Sequence, residues 1–337
     1  MDKNKHIEGN EHLKLNNEDK FSACLDRFLK DGASNSVLPT PTGFQSLDDI
    51  LDGGLYEGLY VIGGVTALGK TTFVLQIVDQ IAKSGRDILI CSLEMAAIEL
   101  VAKSVSRETF LYCKKNNLNT DNAKTTREIM RPDKYDSYSA DAKKALKESI
   151  NACRDFGQHI VCKEGSGDIG VLQIKDYVNQ YKELTGRCPI VIIDYLQILA
   201  PYYERGTDKQ NIDKAVTELK KISRDFKTTV IAISAFNRDS YSSCASLSAF
   251  KESGAIEYSS DVLIALQVQD MKEGTTEKDR ADNRERVSSC MKNDIRDIEA
   301  IVLKNRHGSV NSNALFKYHA VFNTFEEVRF KEGFPFK

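Results

Sequence analysis

An eight-residue run constrains the fold of this 337-residue chain more than any other feature: Gly64-Val-Thr-Ala-Leu-Gly69-Lys70-Thr71. It matches G-x-x-x-x-G-K-[ST], follows the apolar run LYVIGG and opens the amphipathic run TTFVLQIV. A strand that feeds a glycine-rich loop into a helix aims backbone N–H groups and a helix N-terminus at a phosphate chain. On that chemistry Gly64 and Gly69 let the loop close around the β-phosphate. Lys70 reaches the β- and γ-phosphates, the Thr71 hydroxyl ligates Mg²⁺, and Thr72 completes the nucleotide-binding set. The expected ligand is a nucleoside triphosphate with Mg²⁺.

The rest of the chain supplies the scaffold such a loop requires. Short runs rich in Val and Ile recur at Leu59–Ile62, Ile88–Cys91, Ile160–Cys162, Ile190–Ile193, Val230–Ile233, Val262–Leu266 and Ala300–Leu303. They are near-continuous rather than alternating, which predicts strands buried on both faces of a largely parallel sheet. Helical periodicity falls between them, over Thr72–Lys83 and Ile212–Phe226. The fold class is therefore α/β: a P-loop NTPase with a doubly wound, mostly parallel sheet and helices on both faces. Two polar stretches, Lys114–Lys147 and Lys272–Asp297, break the alternation and read as solvated surface excursions or mobile loops.

Two carboxylates are placed by the same logic. Asp194 ends the run IVIID, so a parallel strand delivers it to the carboxyl edge of the sheet beside the loop, where an acid serves the Mg²⁺ shell. Glu94 follows ILICSL in the same way and can orient and deprotonate an attacking water; a surface glutamate at a strand end is the alternative.

Composition excludes several other classes. With 47 Lys+Arg against 49 Asp+Glu the net charge is -2, so the chain is no uniformly basic nucleic-acid coat, although a local basic groove stays open. The polar N-terminus lacks the apolar segment of a secretory signal, and no run approaches a membrane span, so a cytoplasmic location is expected. Eight dispersed cysteines with no CxxC pair read as reduced thiols rather than as zinc ligands or a disulfide framework. Residues 1–17 read as a disordered tail and residues 18–40 as a linker helix and loop, with the ATPase domain over 41–337. In the helix Phe21, Leu25, Phe28 and Leu29 share a face, which packs either on its own domain or on a neighbouring subunit.

Taken in order, five segments resemble a known family. After the phosphate loop come Ser92-Leu93-Glu94-Met95, Ile193-Asp194-Tyr195-Leu196-Gln197, Lys251-Glu252-Ser253-Gly254-Ala255-Ile256-Glu257 and Lys304-Asn305-Arg306-His307-Gly308. Over residues 41–325 the chain resembles the C-terminal, RecA-like ATPase domain of DnaB-type replicative DNA helicases. The resemblance implies an ATP-dependent, ring-forming motor that moves on single-stranded DNA in 5′→3′ polarity during DNA replication. The expected partners are further copies of the chain as a hexamer and a primase or helicase loader. It makes Glu94 the catalytic base, Asp194 the Mg²⁺-associated acid, and Lys304 and Arg306 a basic pair offered to the neighbouring subunit's ATP. A guanidinium inserted in trans stabilises charge on the transferring phosphoryl group.

In such a ring the loops Tyr202–Gln210 and Asp239–Glu252 face the central channel, where Arg205, Lys209 and Lys251 would grip the phosphates of a single strand. Tyr202 and Tyr203 are open to stacking on bases or to packing. Two departures stand out. The family places a glutamine sensor of the γ-phosphate after the strand Val230–Ile233; here Ala235 occupies that position, with Asn237 and Arg238 as the nearby substitutes. Only some 40 residues precede the ATPase, so the helical collar of the family is expected to be missing. These departures keep a second reading open, a RecA/KaiC-like DNA-stimulated ATPase that acts as recombination mediator, loader or scaffold without unwinding.

Overall fold

Each apolar run is a strand. The computed structural model describes residues 20–31, 38–250, 254–274 and 276–328. Within them β1 (Gly58–Gly64), β2 (Ile88–Ser92), β3 (Ile160–Glu164), β4 (Ile190–Asp194), β5 (Thr229–Ala235), β6 (Val262–Val268), β7 (Ile295–Asn305), β8 (Ser312–His319) and β9 (Thr324–Glu327) form one sheet. Its order is β3-β2-β4-β5-β1-β6-β7-β8-β9. Pairs from β3 to β6 are parallel, and pairs from β6 to β9 are antiparallel.

The chain divides into two units, residues 1–38 and 39–337. In the first, α1 (Phe21–Asp31) is an amphipathic helix that carries Phe21, Leu25 and Leu29 at helical spacing. The expected disordered tail and the side chain of Phe28 lie outside the described residues. In the second, α2 (Gln45–Ile50), α3 (Lys70–Lys83), α4 (Ala97–Lys115), α5 (Thr126–Ile129), α6 (Ala140–Gly157), α7 (Val171–Thr185), α8 (Asp208–Asp225), α9 (Gly254–Ser259) and α10 (Glu277–Lys292) connect the strands. Helices α3, α4 and α6 pack on one another, as do α7, α8 and α9, while α3 and α8 both lie against β1 and β5. Strands β1, β2, β4 and β6 are buried along their whole length, as continuous apolar runs demand.

Three expectations need correction. The run at β3 is not buried on both faces: it is the edge strand, half-exposed along its length. The sheet also continues past β6 as an antiparallel ribbon, of which only part of β7 had been read. Strand β8 alternates buried Ala314, Phe316 and Tyr318 with more exposed residues, the signature of a strand with one covered face. The two polar stretches, finally, are ordered. Residues 114–147 carry α5, most of α6 and a satellite core of Phe110, Cys113, Ala123 and Ala145, onto which Phe322 packs. Residues 272–297 hold α10, capped by the Thr276 hydroxyl on the Asp279 N–H. Asn283 of this helix is buried, and its amide donates to the carbonyls of Ser242 and Lys272.

Helix α3, which carries the phosphate loop, is gripped by the C-terminal ribbon. Gln76 donates to the Phe325 carbonyl at 2.9 Å and accepts from its N–H at 2.8 Å. Phe73 packs against Phe44, Phe316 and Phe325 with ring centroids 5.1–5.4 Å apart. Toward α4, Asp79 meets Arg107 at 3.1 Å with both side chains at most 2% exposed. Burial pushes the Asp79 carboxyl above its ordinary range even with the guanidinium beside it. Breaking such a pair strands a buried charge, whereas replacing both partners does not. Arg107→Met is expected to lower the unfolding free energy by ~3 kcal/mol, and Asp79→Leu with Arg107→Met to recover most of it. Urea denaturation of the three proteins checks this; a double variant less stable than Arg107→Met contradicts it.

Candidate nucleotide site

Parallel strands that end at one edge bring together residues far apart in sequence. Ser92 pairs with Asp194 across β2 and β4, and Gly64 pairs with Ala235 across β1 and β5. Above that edge lies a cavity of about 340 Å³ lined by Gly69, Lys70, Thr71, Thr72, Glu94 and Asp194, together with Thr66, Lys103, Ala235 and Tyr318. The sequence-derived set thus converges, except that Gly64 sits behind the cavity wall. A Cβ at Gly64 would lie 2.8 Å from the Leu266 carbonyl, so the position must be glycine for β1 and β6 to approach.

The loop is shaped for phosphate. Ala67 and Gly69 have positive φ (66° and 87°), which turns the chain into the first turn of α3. The Lys70 ammonium lies against the carbonyls of Gly64 at 2.9 Å and Val65 at 3.2 Å. Burial lowers its pKa, while Asp194 and Glu94 act in the opposite direction.

Asp194 is 4% exposed and its carboxyl is pushed up to about 6. Burial is the main cause; Glu94 adds to it, whereas the Thr71 hydroxyl, Lys70 and Lys103 favour ionisation. Neither carboxylate oxygen has a hydrogen bond of good geometry. An unpartnered buried carboxylate beside a threonine hydroxyl fits a divalent cation, whose remaining ligands in such sites are phosphate oxygens and water. Glu94 is exposed at the cavity mouth, two residues beyond β2.

Two further contributors escaped the sequence reading. Lys103, one turn from Leu100 on the buried side of α4, brings a second ammonium to the cavity. It donates to the Asn323 side-chain oxygen at 3.1 Å and to the Thr72 hydroxyl at 3.3 Å, and burial lowers its pKa. Its place on the inward face of an amphipathic helix was the available signal. Arg296 on β7 donates to the Ala67 carbonyl at 2.8 Å and to the carbonyls of Met291 and Asn293, so the ribbon holds the phosphate loop directly. It lies in a stretch whose charge had marked it as solvated, and no sequence signal singled it out.

Lys304 and Arg306 do not join this cavity. They lie where β7 runs back toward the amino end of the parallel strands, Lys304 opposite Leu263 and the Arg306 N–H on the Asp261 carbonyl. Lys304 donates to the carbonyls of Glu257 and Ser260, and the Arg306 guanidinium lies 3.5 Å from Asp261 and 3.3 Å from the Tyr258 carbonyl. Asp261 is level with Leu59, five residues before Gly64, which at ~3.3 Å per residue puts Arg306 about 16 Å from the phosphate loop of its own chain.

Of the candidate DNA contacts, Arg205 is exposed in a turn beyond β4, and Lys209 is exposed in the first turn of α8 rather than in a loop. Lys251 lies outside the described residues. Tyr202 and Tyr203 pack edge to face at 4.9 Å, and the Lys214 ammonium covers the Tyr202 ring. Asn237 is committed to its own loop: it accepts from Ser240 and donates to the Ser248 carbonyl. The side chain of Arg238 lies outside the described residues.

Residues 40–327 match the family model of the DnaB-like helicase C terminal domain. The chain belongs to this family. The replicative DNA helicase DnaB of Geobacillus stearothermophilus is 26% identical over 280 residues, 81% of this chain and 53% of that protein. The replicative DNA helicase DnaC of Bacillus subtilis is likewise 26% identical, over 82% of this chain and 54% of its own length. The chain thus spans about half the length of the curated relatives it matches. A solved helicase-family ATPase domain superposes with a TM-score of 0.72 at 22% identity, covering 91% of this chain and 98% of that one. A DnaB-like replicative helicase, described with its interactions with primase, gives 0.69 at 21% identity over 91% of this chain and 66% of its own. The fold is the RecA-like α/β fold of that ATPase domain. Among the described residues no helix is long and apolar enough to cross a membrane.

The buried Asp194 makes a prediction about stability. Its folded pKa of about 6 lies above the ordinary value of 3.8. The folded state therefore holds the proton more tightly, and stability falls as pH rises from about 4 through 6. Without Mg²⁺, Asp194→Asn is expected to raise the unfolding free energy at pH 8 by on the order of 2–3 kcal/mol. The gain fades as pH drops toward 4. Urea denaturation at pH 8 and pH 5 measures it, and an equal gain at both values contradicts the assignment.

Proposed function

We propose that the chain is the motor of an ATP-driven replicative DNA helicase that works in the cytoplasm as a ring, a hexamer by family resemblance. The observation that carries this reading is the split of the site. Lys70, Thr71, Asp194 and Glu94 share one cavity at the carboxyl edge, while Lys304 and Arg306 lie about 16 Å down the same sheet. A basic pair that cannot reach its own nucleotide but stands exposed at the opposite edge suits delivery to a neighbour's.

The chemistry follows from the side chains. The phosphate loop and Lys70 bind and orient the triphosphate, with Lys103 adding positive charge on the α4 side. Asp194 and Thr71 would hold Mg²⁺, which when bound neutralises charge on the phosphate oxygens. Glu94 takes a proton from the attacking water. Arg306 from the next subunit stabilises the transferring phosphoryl group, so hydrolysis depends on assembly. The exposed segments that follow β4 and β5 leave the same carboxyl edge as the phosphate loop. In this reading Arg205, Lys209 and Lys251 grip the backbone of a single strand there without reading sequence. A primase or loader is the proposed further partner, as in the DnaB-like helicase solved with attention to primase.

Strand displacement on a forked duplex with ATP and Mg²⁺ tests the reading. Lys70→Ala and Arg306→Ala are each expected to abolish unwinding, and Arg306→Ala to lower kcat for ATP by ~10³-fold or more. Mixing the two dead proteins should restore part of the ATPase, because Lys70→Ala subunits still offer Arg306. DNA-stimulated hydrolysis without unwinding shifts the reading to an assembly ATPase. An Arg306→Ala protein within threefold of wild type removes the trans-acting role. If the apolar face of α1 docks on a neighbour, deleting residues 1–33 should lower the oligomer mass seen by light scattering without unfolding the core. An unchanged mass removes that proposal.

A further inference from the structure

Where the family's glutamine sensor would stand, Ala235 offers only a methyl group to the cavity. The strand tip is bridged instead by Gln197, which donates to the Ser234 hydroxyl and accepts from the Ala235 N–H. These contacts stay within β4 and β5, so the loop 236–250 needs another way to respond to nucleotide.

The structure provides one contact of the required kind. The Tyr241 hydroxyl lies 2.8 Å from the Thr66 hydroxyl, and Thr66 lines the cavity in the phosphate loop, four residues before Lys70. The loop around Tyr241 is built to make such a contact count. Its two ends are clamped, because the Phe236 and Phe250 rings pack edge to face at 5.0 Å directly beneath Gly63. A Cβ at Gly63 would fall 2.3 Å from Phe250 and 2.7 Å from Phe236, so the fit leaves no slack. The next residue, Ser242, is tethered through its carbonyl to the buried Asn283 of α10. Tyr241 is thus held between two fixed points, and its hydroxyl has one partner within the phosphate loop.

We propose that the Tyr241–Thr66 hydroxyl pair links nucleotide occupancy to the loop 236–250, in the place of the absent glutamine. Either hydroxyl can donate, and each has a single proton. When a terminal phosphate enters the cavity, its anionic oxygens are stronger acceptors than a phenol oxygen and draw the Thr66 proton. The Tyr241 bond is then rearranged and the loop is released from the phosphate loop. With a diphosphate the pair stays closed. Tyr241 is a positioning residue here: it acts through Thr66 and touches no substrate.

This inference rests on the reading of the chain as a DNA motor, and the test separates the two. The affinity for a fluorescent oligo-dT 20-mer is measured by anisotropy in ATPγS–Mg²⁺ and in ADP–Mg²⁺, and the ratio of the two Kd values is the readout. Wild type, Tyr241→Phe, Thr66→Val and the double variant are compared, with thermal unfolding as a check on folding. Each single variant is expected to shrink the ratio about fivefold, the scale of one neutral hydrogen bond, and the double variant to shrink it no further. A packing role alone would lower stability but would not change a ratio between nucleotides. A Tyr241→Phe protein with the wild-type ratio overturns the inference and leaves the helicase reading standing. Additive losses in the double variant overturn it as well, because the hydroxyls then act apart. A wild-type protein that binds DNA equally in both nucleotides, or not at all, overturns the motor reading and the inference together.

Discussion

The site depends on four strands that run the same way. Because β2, β4, β5 and β1 are parallel and hydrogen-bonded in register, the residues that follow each of them emerge at one edge. Glu94, Asp194, Ala235 and the phosphate loop come from segments separated by up to 170 residues, yet the ladder gives them a common exit. Parallel pairing requires crossover helices on both faces, and those helices bury the strands completely. Burial in turn sets the electrostatics: it raises the Asp194 pKa and lowers those of Lys70 and Lys103 within the same cavity.

The antiparallel ribbon is the second support, and it acts on the loop more than on the sheet. Gln76 locks α3 to β9, Arg296 of β7 holds the Ala67 carbonyl, and the Tyr318 ring of β8 fills the space behind Gly69. Among the described residues, Asn323 between β8 and β9 reaches across to Lys103 and to the hydroxyl of Thr126. The phosphate loop is thus positioned from both sides, by β1 within the sheet and by residues more than 220 positions later in the chain. The same ribbon carries Lys304 and Arg306 to the opposite edge, so one hairpin both supports the chain's own nucleotide and presents a basic pair elsewhere.

The polar stretches show why charge pattern is a poor guide to order. Residues 272–297 look solvated because α10 turns most of its surface to water, yet buried Asn283 and Cys290 fix it to the core. In residues 114–147 Lys124 is only 7% exposed, its ammonium over the Tyr138 ring at 4.4 Å. A lysine can bury its stem and still satisfy its charge, so the residue type does not report its environment.

The sequence by itself determined the phosphate loop, the parallel core and the two acids. Continuous Val- and Ile-rich runs allow only a doubly covered strand, and the eight-residue motif leaves one conformation that satisfies its backbone. Those signals are local. Lys103, Arg296, Asn323 and Tyr241 carry no local signal, because each acquires its role from a partner on a distant segment. Strands β8 and β9 were likewise invisible, since a strand with one covered face alternates weakly over a few residues. Only the tertiary structure decided that Arg306 lies out of reach of its own nucleotide site. That distance follows from β7 running antiparallel to β6, and strand direction is a property of the packed sheet that no single strand encodes.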